Sequence, residues 1–362
     1  MKTLDQLEDI RKRLKSSLES CGYEVVFRNE FRQFWDEAYN LLEFKCISAL
    51  NSTIDYFIEY EQGNGRQCED YSLVILVNKK PVALWPLSIN TLAESSFLAR
   101  PGGIVSSPFY LSSVTPKFRE KVSKSCYEIC IEFANILGQK EFLSGCFDAE
   151  LSAVSSWQIY AMQLGASCSI KHEALIDLCP PIEKIRSTFR RSYKSLLNKS
   201  EKIWNSCVVS QEKLPSVWKE FKDLHYSVSQ RRTRSDLSWT LQQQAALSGE
   251  GFLVAVYTQN ETEQRLIGAG FFLASQYEGG YAVGAYDRSL FDQPVSHIVQ
   301  LRAIEELKRR GCRWYHIGRC YFPGDIPTPD KKALSISHFK SGFANHFSCS
   351  YVLTHQLIKT AF

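Results

Sequence analysis

The sequence predicts a mixed α/β (α+β) protein made of two similar domains in tandem, each a mixed, mostly antiparallel sheet flanked by helices. Three observations carry this. The 362 residues are more than one hydrophobic core usually serves. The C-terminal part reads as three consecutive strands, a helix, a strand and a helix. A hairpin, loop, helix and strand follow one another in the first half as well, offset by roughly 170 to 190 residues and repeated as an order of elements rather than as matching residues. The break is expected near Pro180-Pro181, which gives domains 1–178 and 179–362.

Composition narrows the class. Hydrophobic residues at 44% and charged residues at 23% are the proportions of an ordinary soluble globular protein. A formal net charge of +4 is too small to argue for nucleic acid by itself, so DNA is not expected as a partner and any basic site must be local. The opening Met1-Lys-Thr-Leu-Asp-Gln-Leu-Glu8 has no apolar core of a signal peptide. No run reaches the eighteen or so apolar residues of a membrane span, and a cytoplasmic protein is expected. The twelve cysteines are scattered without Cys-x-x-Cys spacing, which reads as reduced thiols rather than bridges or a metal set. Cys126 and Cys130 share a helix face with no third ligand beside them.

Taken in order, residues 1 to 66 read as helical, with Leu4, Leu7, Ile10 and Leu14 in a stripe and a second segment around Phe34-Trp35, Tyr39, Leu42 and Ile47. Gly63-Asn-Gly65 is a turn. Tyr71–Val77, Asn78-Lys-Lys80 and Pro81–Leu87 form a hairpin. Pro81 and Pro86 lack an N–H for the ladder and push the second strand toward an edge or a bulge. After the Arg100-Pro-Gly-Gly103 loop come an amphipathic helix, Pro116–Gly138, and a strand, Lys140–Ser144.

Ile170–Pro181 reads as a strand closing at the proline pair. Ile185, Phe189, Tyr193 and Leu196 then stripe one helix, with Arg186, Arg190 and Lys194 at steps of four along the adjoining side and Arg191, Lys199 and Lys202 nearby. That basic side is either a solvated face or an anion site for a nucleotide-linked substrate or tRNA, since Arg and Lys pair with phosphate through charge-assisted bonds. A further helix carries Leu214, Trp218, Phe221, His225 and Val228. His225 lies in its apolar stripe and reads as a packed core histidine. The helix runs into Ser229-Gln-Arg-Arg-Thr-Arg234, before an N-cap at Ser235. Arg232 and Arg234 are there either to complement the helix dipole or to bind a ligand from a loop.

The C-terminal part is the most legible. Gly251–Tyr257, Leu266–Leu273 and Gly280–Tyr286 read as an antiparallel meander. Ser296 stands as an N-cap before Ile298, Leu301, Ile304 and Leu307, with Lys308-Arg-Arg310 in the last turn and Gly311 beyond it. Trp314–Gly318 is a strand, and Ile336, Phe339 and Phe343 mark a last helix.

That order, with the wording Phe339-Lys-Ser-Gly-Phe343, resembles the acyltransferase half of the GNAT superfamily and most closely its tandem Fem-type (FemABX-like) branch, to which BioF2-like acetyltransferases are related in fold. The resemblance covers nearly the whole chain in architecture and is specific in wording only toward the C-terminus. It implies two tandem GNAT-like (acyl-CoA N-acyltransferase) domains. It also implies an activity like that of Fem-type enzymes, which transfer aminoacyl groups from charged tRNA to peptidoglycan precursors.

GNAT enzymes that use acetyl-CoA resemble one another in a Gln/Arg-x-x-Gly-x-Gly/Ala turn whose backbone N–H groups hold the pyrophosphate at a helix N-terminus. The matching place here is Asp292-Gln-Pro-Val-Ser-His297, without glycine. A backbone carrying side chains cannot approach phosphates as closely, so the departure favours a Fem-like donor, aminoacyl-tRNA, over acyl-CoA. Ser296 and His297 still stand where a helix N-terminus favours an anion. No tightly bound cofactor or metal is expected.

Acyl transfer to an amine needs an uncharged nucleophile, a polarised carbonyl and a place for a proton. In a GNAT-like fold a splayed sheet, Tyr281–Tyr286 beside Trp314–Gly318, supplies the cleft, with Tyr286 among the substrate-binding residues. Lys340 is the leading catalytic candidate, an ammonium at the edge of an apolar stripe, set over the developing charge; its bland alternative is a snorkelling side chain. Asp287 and His316 are proton-handling candidates. The expected function is acyl or aminoacyl transfer to an amine of a cell-envelope precursor or nucleotide-activated sugar, the acceptor lying between the domains. The alternatives are a CoA-dependent N-acetyltransferase of an amino sugar and a non-catalytic GNAT-like binding module, which the glycine-free turn would suit.

Overall fold

The computed structural model describes residues 4–145, 154–259, 264–290 and 292–357, with side chains from residue 8 onward. The chain divides into two units, residues 1–171 with 349–362 and residues 172–348.

In the first unit, α1 (Leu4–Ser20) buries Ile10, Leu14 and Leu18; the side chains of Leu4 and Leu7, expected in the same stripe, lie outside the described residues. Gly22, at φ +85°, ends the helix. The chain then enters a strand where helix was expected, β1 (Glu24–Phe27). Its Val25-Val26-Phe27 suits a pleated surface, and pairing with a later strand overrides the helical pattern around it. Helices α2 (Arg32–Asn40) and α3 (Asn51–Gly63) precede β2 (Gln67–Asp70), β3 (Leu73–Val77) and β4 (Lys80–Trp85). Asn78 and Lys79 take positive φ, as a two-residue hairpin turn requires. The bulge expected at Pro81 is present, between Ile75 and Leu76 opposite it. Strands β5 (Ser88–Leu92), β6 (Ser95–Ala99), β7 (Val105–Ser106) and β8 (Phe109–Tyr110) follow, then α4 (Pro116–Ile136), β9 (Glu141–Gly145), α5 (Ser156–Gln163) and β10 (Ser167–Asp177). One sheet runs β1-β3-β4-β8 and another β2-β5-β6. Trp85, Tyr127, Phe133, Phe142 and Trp157 are fully buried in this unit's main core.

In the second unit, the single basic helix expected after β10 is two helices, α6 (Ile182–Thr188) and α7 (Arg191–Ile203). Phe189 and Arg190 between them are extended, because the Arg190 N–H donates to the carbonyl of Gly342; a tertiary hydrogen bond decides over periodicity. Strand β11 (Trp204–Val208), α8 (Leu214–Ser229) and α9 (Asp236–Leu247) come next, with the expected Ser235 cap accepting from the Ser238 N–H. The meander is β12 (Gly251–Thr258), β13 (Leu266–Ala274) and β14 (Glu278–Tyr286). Then follow α10 (Val295–Arg309), β15 (Trp314–Cys320), α11 (Lys331–Ser341) and β16 (His346–Gln356). The sheet order is β11-β12-β13-β14-β15-β10. Ile298, Leu301, Ile304 and Leu307 of α10 fill one core; Trp218, Phe221 and Trp239 of α8 and α9 fill the other.

Three expectations shift. The cap of α10 is Pro294, without a side-chain hydrogen bond, so Ser296 lies inside the first turn. Phe343 stands past the end of α11, and Ile336 is 45% exposed, so the apolar stripe of that helix does not include it. The unit bounds also differ from the expected 178/179. His172–Asp177 pair with Trp314–Cys320, and Leu353–Gln356 pair back with Glu141–Ser144 of the first unit, so the chain's end belongs with its beginning. Among the described residues no helix is long and apolar enough to cross a membrane.

Candidate functional site

The second unit's sheet forks between β14 and β15. Their parallel pairing runs over Glu278–Gly280 with Trp314–His316 and stops, while β14 continues to Tyr286 and β15 to Cys320. On the α10 side the Tyr281 and Tyr286 hydroxyls are 3.0 Å apart, and Tyr315 donates to the amide oxygen of the buried Gln300. Burial holds the Tyr286 and Tyr315 phenols well above their ordinary range, so both remain protonated hydrogen-bonding groups.

Lys340 comes to the fork from α11. Its Nζ donates to the Arg319 carbonyl at 3.1 Å, its one hydrogen bond among the described residues. The approach depends on Gly318, which has φ +115° and whose missing Cβ would stand 3.0 Å from Nζ. Burial lowers the lysine's pKa, against the pull of Cys320 and Glu173. The remainder of the Phe339–Phe343 wording is packing. Phe339 and Phe343 lie against Tyr193 and His297, and a Cβ on Gly342 would meet Tyr193 Cε2 at 2.2 Å.

His316, the last residue of β15 paired with β14, has Nε2 3.0 Å from Glu278 and Nδ1 3.4 Å from Glu173. Burial alone would depress its pKa, but the two carboxylates raise it to about 10. The two carboxylates therefore favour the protonated ring over the neutral one. Asp287 receives Arg265 and both the N–H and hydroxyl of Ser289. These bonds, Ser289 first, lower its pKa and account for it as the cap of the turn that follows β14.

The basic residues separate. Arg190 is spent on α11: it donates to His338 Nε2 at 2.7 Å, to the His338 carbonyl at 2.8 Å and to Ser341 at 3.1 Å, and lies over the Tyr193 ring. Arg191 is exposed. Lys194 donates to the Ser187 carbonyl. Arg232 pairs with Asp236, and Arg234 stacks on Trp239 and donates to His225. Among the described residues no contact joins the Arg190–Lys194 segment to the Arg232–Arg234 loop. His297 packs among aromatic rings. Its ring sits 4.5 Å from that of Tyr193 and 5.1 Å from that of Phe339, and burial, then Arg190, brings its pKa down to about 4.

Sequence reasoning missed Glu173, Glu278 and Gln300. Glu278 sits in Tyr277-Glu-Gly-Gly280, which reads as a turn, and nothing in the one-dimensional pattern pairs it with a histidine 38 residues on. A cavity of about 570 Å³ opens between α11 and the loop after β15, lined by Tyr321, Phe322, Leu334, Ser337 and His338.

No family model matches the sequence, and no curated protein matches it. Solved structures do. The crystal structure of FemX matches at 10% identity with a TM-score of 0.62, over 88% of this chain and 95% of that one. L-PGS from Bacillus licheniformis matches at 10% identity and a TM-score of 0.56, over 91% and 93%. The C-terminal domain of a putative lysylphosphatidylglycerol synthetase from Agrobacterium fabrum matches at 10% identity and 0.54, over 89% and 92%. At such identity the likeness is one of fold, and it includes FemX, as the Fem-type resemblance implied.

Proposed function

We propose, for a chain that shares its fold with FemX, acyl or aminoacyl transfer to an amine of a cell-envelope precursor or nucleotide-activated sugar, carried out in the cytoplasm. The observation that carries the reading is the fork of β14 and β15 with Lys340 held over Gly318. A fork of this kind admits an extended acyl group between two strands. A half-buried ammonium beside it opposes the negative charge that develops on the carbonyl oxygen as the amine attacks. The cavity beside α11 has room for the body of a substrate.

The donor is an aminoacyl ester, as on tRNA, rather than acyl-CoA. Two observations favour this: the turn before α10 has no glycine, and His297 is occupied by aromatic rings instead of facing a phosphate. Likeness to proteins named as lysylphosphatidylglycerol synthetases supports an aminoacyl cargo. Arg191, exposed at the start of α7, contributes to holding an anionic substrate; Arg190 contributes by fixing α11.

The test has two arms. A thermal-shift screen compares CoA, acetyl-CoA and UDP-linked amino sugars, since a ligand of the native state raises the melting temperature. Mass spectrometry then compares envelope and glycan precursors from cells with and without the protein. An aminoacylated amine present only with the protein is expected. Stabilisation by acetyl-CoA with an acetylated product would replace this reading by N-acetyl transfer to an amino sugar. Ligand binding with no product would leave a binding module.

A further inference from the structure

The last pair of the β14–β15 ladder is Gly280 with His316, so the imidazole stands at the vertex of the fork. Tyr315 sends its hydroxyl to Gln300 of α10, and side chains alternate along a strand; His316 therefore faces the other side of the sheet. There it lies between two carboxylates that differ in kind. The Glu278 side chain, 3.0 Å from Nε2, is 8% exposed, whereas that of Glu173, 3.4 Å from Nδ1, is 36% exposed. The first is a short contact in a low dielectric, where a charge pair is strong. The second is long for a hydrogen bond and open to water, so another acceptor can replace it at small cost.

We propose that Glu278 is a positioning residue that holds His316 as an imidazolium, and that His316 Nδ1–H turns from Glu173 to donate to the oxyanion of the tetrahedral intermediate. This rests on the acyl-transfer reading above. The lone pair of the neutral amine forms the N–C bond, and the carbonyl π pair moves onto oxygen, where Nδ1–H meets it. When that pair returns, the bond from carbon to the ester oxygen breaks, and the leaving oxygen takes the proton given up by the amine nitrogen. His316 is a cation before and after, so no proton is gained or lost at the ring.

The surroundings are consistent with a fixed cation. Burial works against a charged ring, yet Glu278 and Glu173 together hold its pKa at about 10. Glu173 also pulls the pKa of Lys340 on α11 upward, against burial, and stands opposite Arg319 in the β10–β15 ladder. Cys312, beside Glu278, is pushed up to about 11, mainly by burial, and adds no charge at neutral pH.

The experiment uses the full chain with histidine labelled for NMR, His316→Gln assigning the resonance, together with kcat/KM against pH for an alanyl ester donor. In the wild type His316 stays protonated through pH 8.5. In Glu278→Gln its titration falls toward the ordinary imidazole value of about 6.5. The variant's kcat/KM drops roughly tenfold or more at pH 8.5 and recovers toward wild type at pH 6, as a shifted pKa requires. Glu173→Gln removes the competing acceptor and the more exposed of the two carboxylates, so it shifts the His316 titration less than Glu278→Gln does; a larger shift than that of Glu278→Gln overturns Glu278 as the positioning residue. Glu278→Asp gives a smaller shift of the same sign and serves if the glutamine variant fails to fold. An unshifted resonance overturns the proposal whatever the activity. A shifted resonance with an equal loss at both pH values also overturns it, since a merely structural role behaves so. A shifted resonance with no transfer from any donor by the wild type overturns the catalytic step and the acyl-transfer reading, and leaves the ion pair.

Discussion

Replacing Lys340 by Met separates catalysis from stability at this site. The substitution keeps the length and the apolar stem and removes the charge. At about 4 Å from a developing oxyanion and an effective dielectric near 20, one ammonium is worth roughly 4 kcal/mol, and loss of a single electrostatic contact of this type costs on the order of 10² to 10³ in turnover. Stability has far less at stake. Among the described residues the ammonium makes one hydrogen bond, to the Arg319 carbonyl, and its desolvation, visible as the lowered pKa, offsets part of that bond. The net change is expected within about 1 kcal/mol, or roughly 2–4 °C for a unit of this size. Initial rates of aminoacyl transfer, followed by mass spectrometry beside a thermal melt, read both quantities. In the wild type the alkaline limb should begin below the ordinary lysine value of about 10.5, and Lys340→Met should lack that limb. Wild-type turnover in the variant refutes the role, and a collapse of the melting temperature makes Lys340 a structural residue.

Gly342→Ala places a Cβ 2.2 Å from Tyr193 Cε2, and the overpacking should cost about 1–3 kcal/mol in a denaturant melt. Arg28→Met leaves Asp70 and Asp55 without the buried guanidinium that joins them, and a loss of roughly 3 kcal/mol or more is expected by chemical denaturation. His297 and His225 both have folded pKa values near 4, below the unfolded value of about 6.5. The folded chain therefore binds fewer protons between those limits. Stability should be full above pH 6.5 and fall as pH drops toward 4, and His297→Gln should lessen that loss in melts taken across the range. Arg190→Met should lower the melting temperature by freeing α11, whereas Arg191→Ala should leave it unchanged and lessen the salt dependence of donor binding.

Much of the second unit was legible because its signals are local. The three meander strands are apolar runs bounded by turns, and α10 has Gly311 at φ +81° just past its end. The break at Phe189–Arg190 was not legible, since an unbroken helical stripe runs through it and only the Gly342 carbonyl, far along the chain, interrupts it. Strand β1 was missed for the same reason, its partner β3 lying some fifty residues away.

The site divides along the same line. Phe339-Lys-Ser-Gly-Phe343 singled out Lys340 and implied the fold, because a short helical phrase carries its own geometry. Packing decided what each basic residue does. Arg190 and Lys194 share a helical spacing in the sequence, yet one clamps α11 and the other closes a turn on Ser187. The carboxylates that keep His316 charged come from β10 and β14, 143 and 38 residues away. Periodicity and composition follow from neighbours along the chain, whereas a pKa and a fork between strands follow from neighbours in space, which only the folded chain brings together.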